Sequence, residues 1–427
     1  MTFLNANSRL IIIGLDGVPY SFVKDLTSRG KMPNMSRLIA EGTLRQMASS
    51  IPDISSVAWS SIITGKNPGE HGIYGFMDLI PGTYRTYFPN FSNLRETPFW
   101  NCMNGRRSVI INVPSTYPAG QLNGVLISGF VAVDLEKAVY PPSLIHELKR
   151  LDYRIDVDSE KGHQSMELFL DDLNKTLNAR IETYRYLWDK EEWNLFMVVF
   201  TGTDRLGHFL WDAYEDSDHI YHNSFLQYFS VIDETIGEIA RRIGPDDSLV
   251  ILSDHGFERM KGSVYINYYL RKSGFLKLLR TPTTRYDDID QGTLAFALEP
   301  AEIFVNIAGK YPRGSVKETD KEDILLDLIS LFNTLEVEGE KVVNRVYRKE
   351  EIYTGPFLDR APDLVLMPNE GFDLKSRLHP ENLMETPIFT GKHTHNDAFL
   401  FVKSPQDWSV PENPSVYDVF KVLKDLG

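Results

Sequence analysis

The sequence predicts an α/β fold, with a mostly parallel central sheet and helices on both of its faces. Two observations carry this. Short apolar runs recur along the chain without the polar alternation of a half-exposed strand, as expected of strands covered on both faces. Between them lie longer segments whose apolar residues repeat at helical spacing, so strand and helix alternate.

The elements follow in order. Residues 10–15 (Leu-Ile-Ile-Ile-Gly-Leu) read as the first strand, and residues 21–29 and 35–41 as helices behind it. Strands are expected at 109–113 and 125–128, a long helix at 166–188, a strand at 195–200 and a helix at 221–243. A strand at 249–252, a helix at 321–335 and a strand at 398–402 complete the alternation. Scattered Pro, Gly and aromatic residues make 76–106 and 311–392 the least regular regions. No repeat or Gly/Ser-rich linker separates them, so they are expected as cap elements inserted into one domain spanning 1–427.

Composition narrows the function. The 427 residues are 42% hydrophobic and 24% charged, ordinary for a globular chain able to bury a sizeable core. Lys+Arg 45 against Asp+Glu 59 gives a net charge of −14, which argues against stable nucleic-acid binding. It leaves room for a small phosphorylated substrate, because a metal-containing pocket is locally positive even in an acidic protein. Cys102 is the only cysteine, which excludes an intramolecular disulfide framework, a cysteine-rich zinc module and a dithiol redox centre. No apolar run approaches membrane length and the first one lacks the flanks of a signal peptide, so no membrane association and a cytoplasmic location are expected. The sequence leaves the oligomeric state open.

In open α/β sheets ligands sit beyond the carboxyl ends of the strands, so the polar residues following each apolar run are the informative ones. Asp16-Gly17 follows the first strand, with the glycine allowing a close turn beside the carboxylate. After the 195–200 run come Asp204 and His208, four residues apart and so on one face of a helical turn. After the 249–252 run come Asp254 and His255, adjacent and pointing in different directions, as two nearby ions would require. Just ahead of the last strand, His393 or His395 could complete a ligand set. Ser55 or Ser56 opens the helical stretch 57–64, where the helix dipole and free amides favour incoming anionic oxygens and a metal could activate the hydroxyl. Each signal has an ordinary structural reading as a turn aspartate, helix cap or loop histidine; their joint occurrence at successive strand tips is what points to metal chemistry. Mixed Asp/His ligands suit Zn²⁺ best, with Mn²⁺ as the alternative, and two divalent ions are expected.

The ordered set Asp16, Ser55, Asp204-x-x-x-His208, Asp254-His255, His393 resembles the alkaline phosphatase superfamily, in particular its type I phosphodiesterase/nucleotide pyrophosphatase branch. Thr64-Gly65-x-x-Pro68-Gly69-x-His71-Gly72-Ile73 is similar to the segment that follows the nucleophile in that branch, and the likeness extends over roughly residues 10–402. The resemblance implies an alkaline-phosphatase-like core and hydrolysis of phosphate mono- or diesters through a phosphoserine intermediate. It places Asp16, Asp254, His255 and the nucleophile around a first ion, and Asp204, His208 and His393 around a second. It selects Ser55 over Ser56 and His393 over His395, and leaves His71 structural. Two other readings stand beside it: a phosphomutase resembling the cofactor-independent phosphoglycerate mutases, and a catalytically silent metal-binding protein.

Overall fold

A computed structural model describes residues 8–103, 105–386, 388–405 and 410–426. The chain divides into two compact units: Met1–Lys66, Asn90–Glu258 and Phe389–Gly427 form the first, and Asn67–Pro89 with Arg259–Ile388 the second. Of the two irregular stretches, residues 90–106 belong to the first unit, while the second unit already includes the chain from 259 onward.

The first unit is built on an eight-stranded sheet. Its strands are β1 (Leu10–Leu15), β2 (Thr43–Met47), β3 (Ser108–Val113), β4 (Gly124–Ser128), β5 (Val139–Tyr140), β6 (Leu195–Phe200), β7 (Ser248–Leu252) and β8 (Ala398–Lys403), in the order β2-β8-β7-β1-β6-β3-β4-β5. The five central strands β7-β1-β6-β3-β4 are parallel; β8 and β5 run antiparallel to them, and the edge strand β2, antiparallel to β8, runs in their direction. The helices are α1 (Tyr20–Ser28), α2 (Pro33–Glu41), α3 (Ser55–Thr64), α4 (Met166–Lys190), α5 (Gly202–Glu215), α6 (His222–Arg242) and α7 (Val419–Leu426).

The apolar runs are continuous because both faces are covered. Ile11, Ile13 and Leu15 of β1 enter one core with residues of α1, α2, α4, α5 and α6. Leu10 and Ile12, pointing the other way, enter a second core with Trp59, Ile62 and Ile63 of α3 and with α7. All six residues of β1, β3 and β6 are buried.

The second unit has its own core, with Phe296, Ile303, Leu328, Phe332 and Leu364 among its fully buried residues. It contains an antiparallel sheet ordered Ala295–Leu298, Glu302–Val305, Leu364–Pro368, Val343–Arg348, and a smaller sheet in which Gly262–Tyr265 lies between Phe372–Lys375 and Met384–Glu385. The helix Lys321–Asn333 contributes Leu325, Leu328 and Phe332 to this core. Among the described residues no helix is long and apolar enough to cross a membrane.

Candidate functional site

Strand register sets the site. β1 lies between β6 and β7, with Leu15 opposite Phe200 and Gly14 opposite Leu252, so the three strands end level. Asp16 is the first residue past β1, Asp254 and His255 are the second and third past β7, and Asp204 sits in the first turn of α5 just past β6. Parallel strands with level ends thus bring three carboxylates to one place at the carboxyl edge of the sheet.

Two glycines let neighbouring groups approach. A Cβ on Gly14 would lie 2.6 Å from the Trp59 ring and 2.9 Å from Val199, so its absence lets α3 pack across the end of β1. Gly17 has φ +69°, and a Cβ there would meet Phe257 at 2.6 Å. Its amide donates to Asp254 Oδ1 at 3.0 Å, which fixes that carboxylate beside β1.

The helix α3 begins at Ser55 itself, two residues before the start expected from the sequence. Ser55 Oγ is 3.3 Å from Asp16 Oδ1, to which it donates, and 3.2 Å from His255 Nε2. Trp59, one helical turn on, donates its indole N–H to Asp16 Oδ2 at 2.9 Å. Ser56 Oγ is buried without a hydrogen-bond partner and takes no part. His395 Nδ1 lies at 3.1 Å from the Ser50 carbonyl oxygen, whereas His393 Nε2 reaches Asp204 Oδ1 at 3.1 Å and His208 Nε2 at 3.0 Å. His255 Nε2 lies 3.4 Å from Asp254 Oδ2, 3.7 Å from Asp16 Oδ1 and 3.9 Å from Asp204 Oδ1. All seven expected residues therefore meet in one cluster. Two overlapping triads, Asp16–Asp254–His255 and Asp204–His255–His393, have ligand atoms near enough to hold an ion.

The donor chemistry fits divalent cations. Each imidazole has Nδ1 against a backbone carbonyl oxygen: His208 on Gly391 at 3.1 Å, His255 on Gly256 at 3.0 Å, His393 on Asp53 at 3.0 Å. A neutral ring donating from Nδ1 presents an Nε2 lone pair to the cluster, the arrangement that carbonyl partners impose on metal-binding histidines. His208 Nε2 and His393 Nε2 face each other at 3.0 Å beside Asp204; although burial opposes it, the Asp204 hydrogen bond and charge raise the His393 pKa. Asp254 Oδ2, fully buried, has no hydrogen-bond partner. A cation reconciles donors that otherwise repel. The carboxylates tell the same story: burial, then the charges of Asp254 and Asp204, push the Asp16 carboxyl well above its usual value, and burial raises Asp254 as well. Burial also lowers His255, against the opposing pull of the Asp254 charge. Asp204 goes the other way: although burial opposes it, His208, His393 and Arg205 hold its carboxyl far below the ordinary range. His208 and His393 keep 22% and 17% of their side chains exposed against none for His255, so the cluster opens to solvent on the His208–His393 side.

Sequence reasoning missed three supports. Trp59 carries no motif signal of its own. Arg205 donates from Nη1 to Asp204 Oδ2 at 2.9 Å and from Nη2 to Asp156 Oδ2 at 2.7 Å, leaving Asp204 Oδ1 for the cluster. Its place inside Asp204-x-x-x-His208 was visible, but its partner Asp156 is 49 residues away in sequence. Thr203 donates its hydroxyl to the Asp16 carbonyl oxygen and ties β1 to α5. His71, by contrast, is fully buried, accepts from the Ile73 amide at Nδ1 and has its pKa lowered by burial to about 3, as a structural residue should.

Comparison with known proteins adds the context. The family model for type I phosphodiesterase/nucleotide pyrophosphatase matches residues 10–396. Among solved structures, phosphonoacetate hydrolase from Sinorhizobium meliloti 1021 in complex with phosphonoformate is similar at TM-score 0.66 and 16% identity, over 98% of this chain and 96% of that one. An inactive murine ectonucleotide pyrophosphatase/phosphodiesterase 5 in complex with AMP is similar at TM-score 0.58 and 16% identity, over 98% and 94%. The human counterpart gives 0.57 and 15%, with 98% and 94% covered. No curated protein matches the chain.

Proposed function

The chain belongs to the type I phosphodiesterase/nucleotide pyrophosphatase family of the alkaline phosphatase superfamily, and from that premise we propose that it hydrolyses small phosphate esters with two divalent cations and Ser55 as nucleophile. The observation that carries the reading is Ser55 Oγ at 3.2–3.3 Å from His255 Nε2 and Asp16 Oδ1, at the first residue of a helix, inside a buried Asp/His cluster.

Asp16, Asp254, His255 and Ser55 would hold one ion, and Asp204, His208 and His393 the other, with Zn²⁺ the best match to this donor set. When bound, such ions lower the pKa of the serine hydroxyl and offset charge on the phosphoryl oxygens. Ser55 Oγ, placed by Asp16 Oδ1 and His255 Nε2, forms the bond to phosphorus as its proton passes to solvent, and the ester oxygen on the opposite side leaves. Water then cleaves the phosphoserine, restoring the hydroxyl. The Val57 and Ala58 amides already donate to the Ile54 carbonyl oxygen, so it is the Ser55 and Ser56 amides at the very start of α3 that favour the anionic oxygens of the incoming group. Trp59 and the Gly17 amide keep the Asp16 and Asp254 carboxylates aimed while this happens. The remaining segments, 67–89 and 259–388, are read as insertions into one catalytic domain, and a cytoplasmic location remains part of the proposal.

Replacing Ser55 with Ala tests this. Turnover of bis-p-nitrophenyl phosphate and p-nitrophenyl phosphate is expected to disappear while two equivalents of metal stay bound. Activity near the wild-type rate in S55A, or no release of p-nitrophenol from either ester by the metal-loaded wild type, overturns the reading.

A further inference from the structure

The second unit contains a cavity lined by none of the cluster residues. Its volume is about 630 Å³, within the range of small-molecule sites, and three separate segments (76–88, 284–299 and 375–379) build it. Its apolar wall is formed by Phe76, Met77, Phe88, Tyr286 and Leu378. Phe88 is 70% exposed, an unusual position for a large ring with no covering partner. Tyr286 is fixed by its hydroxyl, which lies 2.9 Å from the carbonyl oxygens of both Ala297 and Ser376 and donates its one proton between them, so that part of the wall is preformed.

The charges lining the cavity are unequally committed. Lys375 is paired with Asp373 at 2.8 Å. Glu299 accepts from the Ser376 amide at 2.9 Å, and burial raises its carboxyl above the usual value against the opposing pull of the Lys375 charge. Arg377 is exposed and makes no hydrogen bond or ion pair among the described residues; His379 beside it is exposed as well. The uncommitted charge at an aromatic cavity is therefore a guanidinium, whose planar fork matches a carboxylate, sulfonate or phosphate.

We infer that this cavity is a ligand site for a small amphipathic anion, an aryl or short-alkyl group carrying one acidic head, with the apolar part against Phe76, Met77 and Phe88 and the head on Arg377. None of its lining residues is Ser55 or a cluster residue, and its test does not depend on turnover.

The probe is 8-anilinonaphthalene-1-sulfonate, an aryl sulfonate that fluoresces in apolar surroundings, titrated into the full-length protein. Saturable binding at one equivalent per chain is expected. R377A weakens it about tenfold or more, as loss of a charge-assisted contact should, and F88A weakens it several-fold. The uncharged analogue N-phenyl-1-naphthylamine is expected to lose affinity in F88A but not in R377A. Thermal midpoints equal to wild type confirm that both variants fold. Non-saturable binding, or wild-type affinity for the sulfonate in R377A, overturns the site.

Discussion

The two units bury carboxylates by opposite means. In the second, Asp363 has an ammonium at each hand, Lys321 at 2.7 Å and Lys349 at 3.6 Å, and an amide from Val305 at 2.9 Å. Asp78 is met by Arg360 at 2.9 Å and by the Tyr87 hydroxyl at 3.1 Å. Glu302, with no such partner for Oε1, has its carboxyl pushed well above the usual value by burial and then by Asp78. The first unit crowds Asp16, Asp204 and Asp254 within reach of three imidazoles whose Nε2 atoms point inward, and Arg205 is the one guanidinium bonded to any of them among the described residues. A fold that wanted only to bury these acids would surround them with cations, as it does at Asp363. The contrast teaches that the first cluster is arranged for a cation from solution.

Four changes break or sharpen this comparison. Asp254→Asn has the largest expected effect: activity falls by about a thousandfold or more, some 4 kcal/mol of barrier, measured as kcat/KM on a phosphodiester. Because the Asn oxygen still accepts from the Gly17 amide and a crowded charge is gone, the metal-free variant should melt no lower than metal-free wild type. Asp363→Asn should do the reverse, leaving two lysines facing a neutral side chain and costing about 2 kcal/mol of stability by denaturant titration, less than a fully dry pair because Lys321 is partly exposed. Opposite signs in the two units are the point; a fall in both would mean that Asp254 is merely structural.

Smaller effects follow. Arg205→Lys keeps a charge but loses the fork joining Asp204 to Asp156, so metal affinity measured against a chromophoric chelator should weaken by about 10–100-fold, as for other residues that orient ligands. Saturating metal should restore much of the activity; unchanged affinity would remove Arg205 from the positioning role. Glu302→Gln is the mildest. The folded pKa of Glu302 lies above its unfolded value, so its stabilising contribution is full below the ordinary Glu range and is lost as pH rises through the folded value. The variant should therefore match wild type in Tm near pH 4 and exceed it near pH 8; a constant difference across that range would show that the proton is not what Glu302 retains.

Much of the first unit was readable from sequence because its central strands are buried on both faces. β1 and β6 have the expected ends, and β3, β4, β7 and β8 differ by one residue. What escaped has physical causes. β2 is a half-exposed edge strand, Thr-Leu-Arg-Gln-Met, with no apolar run, and strand direction leaves no mark on periodicity, so the antiparallel β8 was not distinguishable from its parallel neighbours. In the second unit Val343–Arg348 has the same edge character, and the short strands Ala295–Leu298 and Glu302–Val305 are interrupted by Pro300. The site residues stood out because chemistry-bearing side chains cluster at strand tips whatever the loops do. Their supports did not: three backbone carbonyls, an indole and Asp156 become partners only through folding.

The central claim is that the Asp/His cluster holds two ions, and equilibrium dialysis of the metal-free protein against Zn²⁺ tests it most directly. Wild type should bind two equivalents per chain, Asp254→Asn should lose one, and His393→Ala should lose the other. Wild-type protein that binds no zinc, or variants that bind as much of it as wild type, would contradict the account.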